Sequence, residues 1–333
     1  LQLTQRTERV SPELPTHVVF SMGDPHGIGP EVLLKSLQHL LPGRSIKPII
    51  FGAQGYLSEL YASLNLDFDW KDLKLFDVGS LPYPPSWGLV GTNSGKVALN
   101  SLRSAILYCR DQQHPLLVTA PVSKEALHLA GFSDPGQTEY VGSFFKSSDA
   151  TMVFLSEPLK ILLVTVHIAL RNVFQELTIE RIVTKCNLFL QALVKLGIEQ
   201  PRIAVCGLNP HASESGLFGT EEAEVIVPAM RQLERTAVSG SFSGPYPADT
   251  VFARTVAGEF DGVVAHYHDQ GLIPLKMVAF DSAVNTTLGL PIVRTSPDHG
   301  TAFDIAGKGI ADPGSMIAAV EWGIKLTTNQ ADD

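Results

Sequence analysis

Lys160-Ile161-Leu162-Leu163-Val164-Thr165-Val166 is a short apolar run, and Arg202-Ile203-Ala204-Val205-Cys206-Gly207 is a second. Between them, over 178–196, Ile179, Ile182, Val183, Cys186, Leu190 and Leu193 recur at steps of three and four. Short runs rich in β-branched residues are strand-like, whereas steps of three and four mark the apolar stripe of a helix. Residues 160–207 therefore read as strand, helix, strand. The same alternation extends in both directions. Strand-like runs occur at 17–22, 48–52, 116–120, 151–155, 262–266 and 282–287. A second helical stripe over 94–109 is formed by Val97, Ala98, Leu102, Ala105, Ile106 and Cys109. Alternating strands and helices predict an α/β fold whose mixed, largely parallel sheets carry helices on both faces. Residues 79–92 and 239–247, rich in Gly, Pro and Ser, read as surface loops or edge excursions. A chain of 333 residues exceeds one ordinary core, so two α/β/α lobes are expected.

The formal net charge of −9 argues against nucleic acid or an anionic membrane as partner, since both require a basic surface. A small anion needs only a local basic pocket. Cys109, Cys186 and Cys206 are too few and too scattered for a disulfide framework or a thiolate zinc site. No stretch approaches the roughly 20 apolar residues that span a bilayer. Residues 1–15 are polar and show no apolar signal region, which points away from export. A soluble cytoplasmic protein is expected.

Three apolar runs lead into histidine: Ile161 to His167, Ile203 to His211, and Gly262-Val263-Val264-Ala265-His266-Tyr267-His268. Open α/β sheets bind ligands where strands end and loops begin. Three imidazoles delivered there could hold a divalent metal with positions left for substrate, or each could hydrogen-bond within its own loop. His266 and His268 would share one face of an extended strand, so spacing does not choose between them.

The loop Ser21-Met22-Gly23-Asp24-Pro25-His26-Gly27-Ile28-Gly29-Pro30-Glu31 joins a strand to a helix beginning near Pro30. It suits either a tight turn or close approach to an anion or cofactor, but its glycines lack the usual dinucleotide spacing. Ser123 is a natural N-cap, with Lys124 beside the helix start. Lys276, Asn285 and Arg294 gather late in the chain, with Arg294 ending the run Leu290 to Val293. Cations so placed in an acidic protein suit an anionic ligand, the planar fork of arginine above all. The reading of Lys276 as a solvated helix charge stays open. Residues 298–313 form a glycine-bearing loop able to approach a flat ligand.

Gly23 to Glu31, Thr119 to Lys124, Gly207-Leu208-Asn209-Pro210-His211, Gly219-Thr220-Glu221-Glu222, Pro247 to Thr250, Tyr267-His268-Asp269-Gln270-Gly271-Leu272 and Asn285 to Thr301 together resemble the 4-hydroxythreonine-4-phosphate dehydrogenase family of vitamin B6 biosynthesis. The matches run in order from about 17 to 328. The resemblance implies a fold like isocitrate and isopropylmalate dehydrogenases. It places one lobe on 15–130 plus 280–330 and another on 131–279, with the active site in the cleft between them. It implies a divalent metal (Zn, Mg or Co) held by His167, His211 and His268, the third donated by the partner subunit of a homodimer. Gln137, Thr138, Lys276, Asn285 and Arg294 are then substrate residues, and His299, Gly300 and Thr301 lie near NAD or NADP. Lys276 and Asp249 are alternatives for proton transfer. The family carries histidine where this chain has Gln137, which can donate a hydrogen bond to phosphate but carries no charge.

The implied activity is metal-dependent NAD(P) oxidation of 4-hydroxythreonine 4-phosphate, a small phosphorylated hydroxy amino acid. The product is a β-keto acid that decarboxylates to 3-amino-2-oxopropyl phosphate. Rival readings are a related dehydrogenase of a sugar-acid phosphate or cyclic dihydrodiol, or a phosphate acyltransferase.

Overall fold

The computed structural model describes residues 16–42, 46–111, 116–134, 136–236 and 238–328. The polar segment 1–15 lies outside them. Among the described residues are eleven strands: β1 Thr16–Ser21, β2 Ile46–Gly52, β3 Lys74–Asp77, β4 Leu116–Thr119, β5 Thr151–Leu155, β6 Lys160–Leu163, β7 Arg202–Cys206, β8 Ser241–Tyr246, β9 Gly262–Ala265, β10 Val284–Leu288 and β11 Val293–Pro297. They form one sheet in the order β3-β2-β1-β4-β11-β10-β5-β6-β9-β7-β8. Only the pairings β11–β10, β10–β5 and β5–β6 are antiparallel. The sheet is thus mixed and mostly parallel, as the alternation predicts. Its two parallel blocks run in opposite directions and meet at β10 and β5.

The βαβ unit read over 160–207 is present as β6, the helix Ile179–Lys195 and β7, with β9 between the two strands. That helix buries Ile182, Val183, Cys186, Leu190 and Leu193, and the Thr178 hydroxyl caps it by accepting from Arg181 N at 3.2 Å. The helix Thr92–Arg110 buries the whole stripe from Val97 to Cys109. All three cysteines are free and buried. No described helix is long and apolar enough to cross a membrane.

Three strands depart from the sequence reading. β3 and β8 are edge strands, and β8 occupies the stretch 239–247 that reads as a surface loop or an edge excursion. An edge strand tolerates Gly244 and Pro245 because one side of its backbone needs no ladder partner. β11, Val-Arg-Thr-Ser-Pro, is central and buried throughout, so its polar residues hide it from a hydrophobic pattern. The run Leu290 to Val293 does not end on Arg294 as a strand. The strand begins at Val293 and carries Arg294 inside the sheet.

Gly95 marks the closest helix contact. A Cβ there would collide with the carbonyl oxygen of Ala126, where the helix Thr92–Arg110 crosses Lys124–Leu129. Backbone cannot swing aside as a side chain can. Gly95→Ala is therefore expected to destabilise the protein by about 3 kcal/mol, the upper range for overpacking. Urea unfolding measures it, and an unchanged midpoint would show that the two helices separate freely.

Candidate active site

The floor of the site is the face of β5, β10 and β11. Successive side chains on a strand point to opposite faces. Phe154, Asn285 and Ser296 therefore form one row across these strands, and Met152, Thr287 and Arg294 the next. The loop after β4, the start of the helix Gln137–Phe144, the segment after β6, the start of the helix His268–Ala279 and the loop after β11 fold over this floor. They enclose a cleft of about 230 Å³ that brings together Gln137, Thr138, His167, His268, Asn285, Arg294, His299 and Gly300.

Arg294 lies at the bottom, 2% exposed. Its Nη1 donates to the hydroxyls of Thr138 at 3.1 Å and Thr287 at 3.2 Å, and its Nη2 to Thr119 at 2.8 Å. The cross-strand register puts Thr287 opposite Arg294 on the same face. These partners are neutral, and no carboxylate pairs with the guanidinium among the described residues. Burial pushes it down to about 10, against the opposing pull of nearby Glu139, so it remains a cation at neutral pH. A buried cation held only by hydroxyls is electrostatically incomplete and suits an anionic ligand. Its Nε, Gln137 Oε1, Glu139 Oε2, Asn285 Oδ1 and His299 Nε2 are all buried without a hydrogen-bond partner. Buried polar groups are normally satisfied, so this concentration marks where a polar ligand binds.

His167 and His268 face each other across the mouth, their ring centroids 5.7 Å apart. Each shares its Nδ1 with a carboxylate: Glu139 Oε1 at 3.1 Å from His167, and Asp269 Oδ1 at 2.7 Å from His268. The His167 contact, more than the opposing burial, holds the Glu139 carboxyl below its ordinary range. A carboxylate on Nδ1 keeps the proton there and leaves Nε2 as a free lone pair, the arrangement usual for metal-binding imidazoles. The donor chemistry therefore fits a divalent metal.

β9 ends at Ala265, so His266 and His268 do not share a face. His266 is fully buried, with Nε2 2.6 Å from the carbonyl of Cys206, and burial pushes its imidazole down to about 4. His26 is also buried, its Nδ1 2.8 Å from the Leu89 carbonyl. Neither lines the cleft.

His211 stands apart. It is exposed on a surface turn, and no group of three metal-capable side chains exists among the described residues. The structure thus brings His167 and His268 together and leaves His211 apart from them. His211, Ala212, Ser213, Glu214 and Ser215 all have positive φ, between 46° and 69°. Left-handed backbone costs an L-residue about 1–2 kcal/mol, so this turn is strained. Asp249 is exposed at the start of the helix Ala248–Val256, which packs against the same turn. Of the two proton-transfer candidates, only Lys276 is beside the cleft. Its Nζ lies 2.6 Å from Asp298 Oδ2 and also donates to the Asp298 carbonyl at 3.1 Å. Burial raises the Asp298 carboxyl, and the Lys276 charge opposes the shift.

The three residues expected near the cofactor divide. His299 and Gly300 line the cleft, and Gly300 has open space where a side chain would stand. An open backbone and an unpaired imidazole nitrogen fit the approach of a flat ligand. Thr301 instead packs under the first glycine loop: its carbonyl accepts from Ile28 N at 3.0 Å, and a Cβ on Gly27 would lie 2.8 Å from it. The close approach permitted by that glycine loop is to Thr301. Sequence reading missed Thr119, Thr287, Glu139 and Asp298 as parts of the site. Thr287 could have been found, since period-two alternation places it on the face of Asn285.

The family model described as pyridoxal phosphate biosynthetic protein PdxA matches residues 43–323. The chain belongs to the PdxA family. It is 40% identical over 319 residues to a 4-hydroxythreonine-4-phosphate dehydrogenase from Desulfosudis oleivorans, covering 92% of this chain and 94% of that one. It is 38% identical over 329 residues to a D-threonate 4-phosphate dehydrogenase from Cupriavidus necator, covering 94% and 97%. The crystal structure of a 4-hydroxythreonine-4-phosphate dehydrogenase from Klebsiella pneumoniae matches with a TM-score of 0.79 at 38% identity, over 94% of this chain and 99% of that one. A β-decarboxylating dehydrogenase from Thermococcus kodakarensis shares the fold, with a TM-score of 0.50 at 14% identity over 96% and 84%. This PdxA-family protein is a dehydrogenase, and the two relatives compared above are named for two different phosphorylated substrates.

Proposed function

We propose that this PdxA-family enzyme oxidises the C3 hydroxyl of a four-carbon 2-substituted 3-hydroxy acid 4-phosphate. The observation that carries the reading is Arg294, a buried cation among three hydroxyls with no carboxylate partner among the described residues. Its planar fork, with Thr138 and Gln137 at the start of the helix Gln137–Phe144, would receive the phosphate. His167 and His268 would hold a divalent metal, with His299 and Gly300 against NAD(P). When bound, the metal would polarise the hydroxyl and NAD(P) would accept the C3 hydrogen as hydride. Lys276, ion-paired with Asp298, would relay the hydroxyl proton, giving one of its own to Asp298 or solvent as it takes it. Asn285 orients the substrate from the floor. The resulting β-keto acid loses carbon dioxide, and the carbanion left behind takes up a proton to give a ketone phosphate.

The lobes 15–130 plus 280–330 and 131–279 would flank this cleft. The metal set would be completed by His211 of a second copy, making a homodimer with shared sites. An exposed apolar side chain flanks each half of that set: Leu170 lines the hollow beside His167 and His268, and Phe218 lies against His211. Exposed apolar side chains at both places suit a protein interface.

The two substrates named among the relatives differ at C2, an amine in one and a hydroxyl in the other. Glu139 and Asp298, the carboxylates lining the cleft, are already paired with His167 and Lys276. Glu139 Oε2 has no partner, so the cleft still offers one carboxylate oxygen that either an ammonium group or a hydroxyl at C2 could approach. Absorbance at 340 nm, with each substrate and each of NAD and NADP, tests this. Reduction stopped by EDTA and restored by added metal is expected, and the substrate with the higher kcat/KM identifies the C2 group that this site accepts. No reduction with either, in the presence of metal, would sink the dehydrogenase assignment for this substrate class.

A further inference from the structure

The strained turn that carries His211 does not hold itself in place. Glu222, 3% exposed and outside the cleft, grips the residues just before it. Its Oε1 accepts from the backbone N–H of Leu208 at 2.8 Å and of Asn209 at 2.7 Å, and its Oε2 from the Asn209 side-chain amide at 3.0 Å. The same amide donates to Glu221 Oε2 at 2.7 Å. Asn209 in turn closes the turn through its carbonyl, which accepts from Ala212 N at 3.1 Å. Gly207 lets the turn fold back, since a Cβ there would lie 2.7 Å from Ala212 and 3.3 Å from Glu222 Oε1. Glu222 itself opens a widened π-type helical turn, Glu222–Ile226, a distortion that helices retain mostly at functional sites.

We propose that Glu222 is a positioning residue, holding the left-handed turn so that His211 reaches the metal site of a second copy. The proposal rests on the shared-site reading above. Its basis is that a buried carboxylate is directed wholly at N–H donors leading into one strained, exposed turn. No cation pairs with Glu222 among the described residues, so its charge serves the backbone of that turn. Five left-handed residues in a row, of which His211, Glu214 and Ser215 are exposed, relax to ordinary backbone once their anchor is lost. A glutamine in this place offers one acceptor oxygen and turns an NH₂ group toward backbone N–H donors.

The turn serves the other subunit, so the defect must appear in trans. Chelator-stripped mixed dimers, made with two affinity tags, carry one variant on each chain and are titrated with Zn²⁺ by calorimetry beside the NAD(P) assay. In an E222Q/H268A dimer, one site combines the intact pair of the E222Q chain with His211 on an unaltered turn. One wild-type zinc site and half the wild-type turnover are expected. In an E222Q/H211A dimer, the surviving pair receives His211 from the E222Q chain. A zinc affinity 10- to 100-fold lower is expected, the usual effect of losing a group that orients a ligand. Adding A212G to E222Q should recover part of that loss, because glycine accepts left-handed backbone without strain.

If E222Q does not assemble, E222D, which keeps the charge and shortens its reach, is used in the same pairings. Equal zinc affinity in the two pairings overturns the proposal, because a general loss of stability does not choose between partners. The H211A/H268A dimer is the control and should hold one wild-type site. Its failure to do so overturns the shared-site reading, and this proposal with it.

Discussion

His268→Ala is expected to lose chelator-sensitive turnover by about 10²–10⁴-fold while its melting temperature in metal-free buffer stays within a few degrees of wild type. The size follows from the several kcal/mol a metal contributes by polarising a substrate oxygen, at 1.36 kcal/mol per factor of ten. The fold is spared because the His268 side chain is 38% exposed and packs into no core. His266→Ala, two residues away, should do the reverse. That substitution empties a fully buried site and leaves the Cys206 carbonyl unsatisfied, costing about 2–4 kcal/mol of stability. Thermal melts and 340 nm assays on the two variants decide between the histidines. Lost turnover in His266→Ala at unchanged stability would mean that His266, not His268, serves the chemistry.

Arg294→Met should separate binding from stability in a similar way. Losing the buried, hydrogen-bonded partner of an anion costs about 2–5 kcal/mol, a thirty- to several-thousand-fold fall in kcat/KM for the phosphorylated substrate. The ligand-free protein should not melt lower by more than a few degrees. The sign follows from the depressed guanidinium. A base whose pKa falls from its ordinary, higher value to about 10 on folding makes the fold less stable at every pH below about 10. Relief comes only as the pH rises from there toward the unfolded value. Methionine, similar in length and uncharged, removes that penalty. Inorganic phosphate should therefore raise the melting temperature of the wild type and leave that of Arg294→Met unchanged. A phosphate shift that survives in the variant would place the anion elsewhere.

Both predictions turn on residues whose importance was legible and whose placement was not. The alternation of strands with helical stripes was enough to predict an α/β fold, because periods of two and of three to four are written locally in the chain. The stripes over 94–109 and 178–196 fell on the helices Thr92–Arg110 and Ile179–Lys195 for that reason. β11 was illegible because its arginine, threonine and serine are buried through hydrogen bonds and the ligand face, not through hydrophobicity. β8 was legible only as a loop or an edge excursion, because an edge strand accepts the glycine and proline that also signal a loop.

Histidine, arginine and asparagine at run ends could be singled out as chemical groups, since residue type alone limits what each can donate or accept. The sequence by itself thus determined the fold class, the donor types and, through the ordered motifs, the PdxA family. Only the tertiary structure decided which donors meet. Two parallel blocks of opposite direction put the site on the face of β5, β10 and β11, not along one edge of strand ends. That register surrounds Arg294 with Thr119, Thr287 and Thr138, residues 175, 7 and 156 positions away along the chain. The end of β9 at Ala265 turns His266 inward and His268 toward the cleft, and a left-handed turn carries His211 away from both. Contacts between distant residues depend on strand order and direction, which the packing of the whole sheet selects and no local period records.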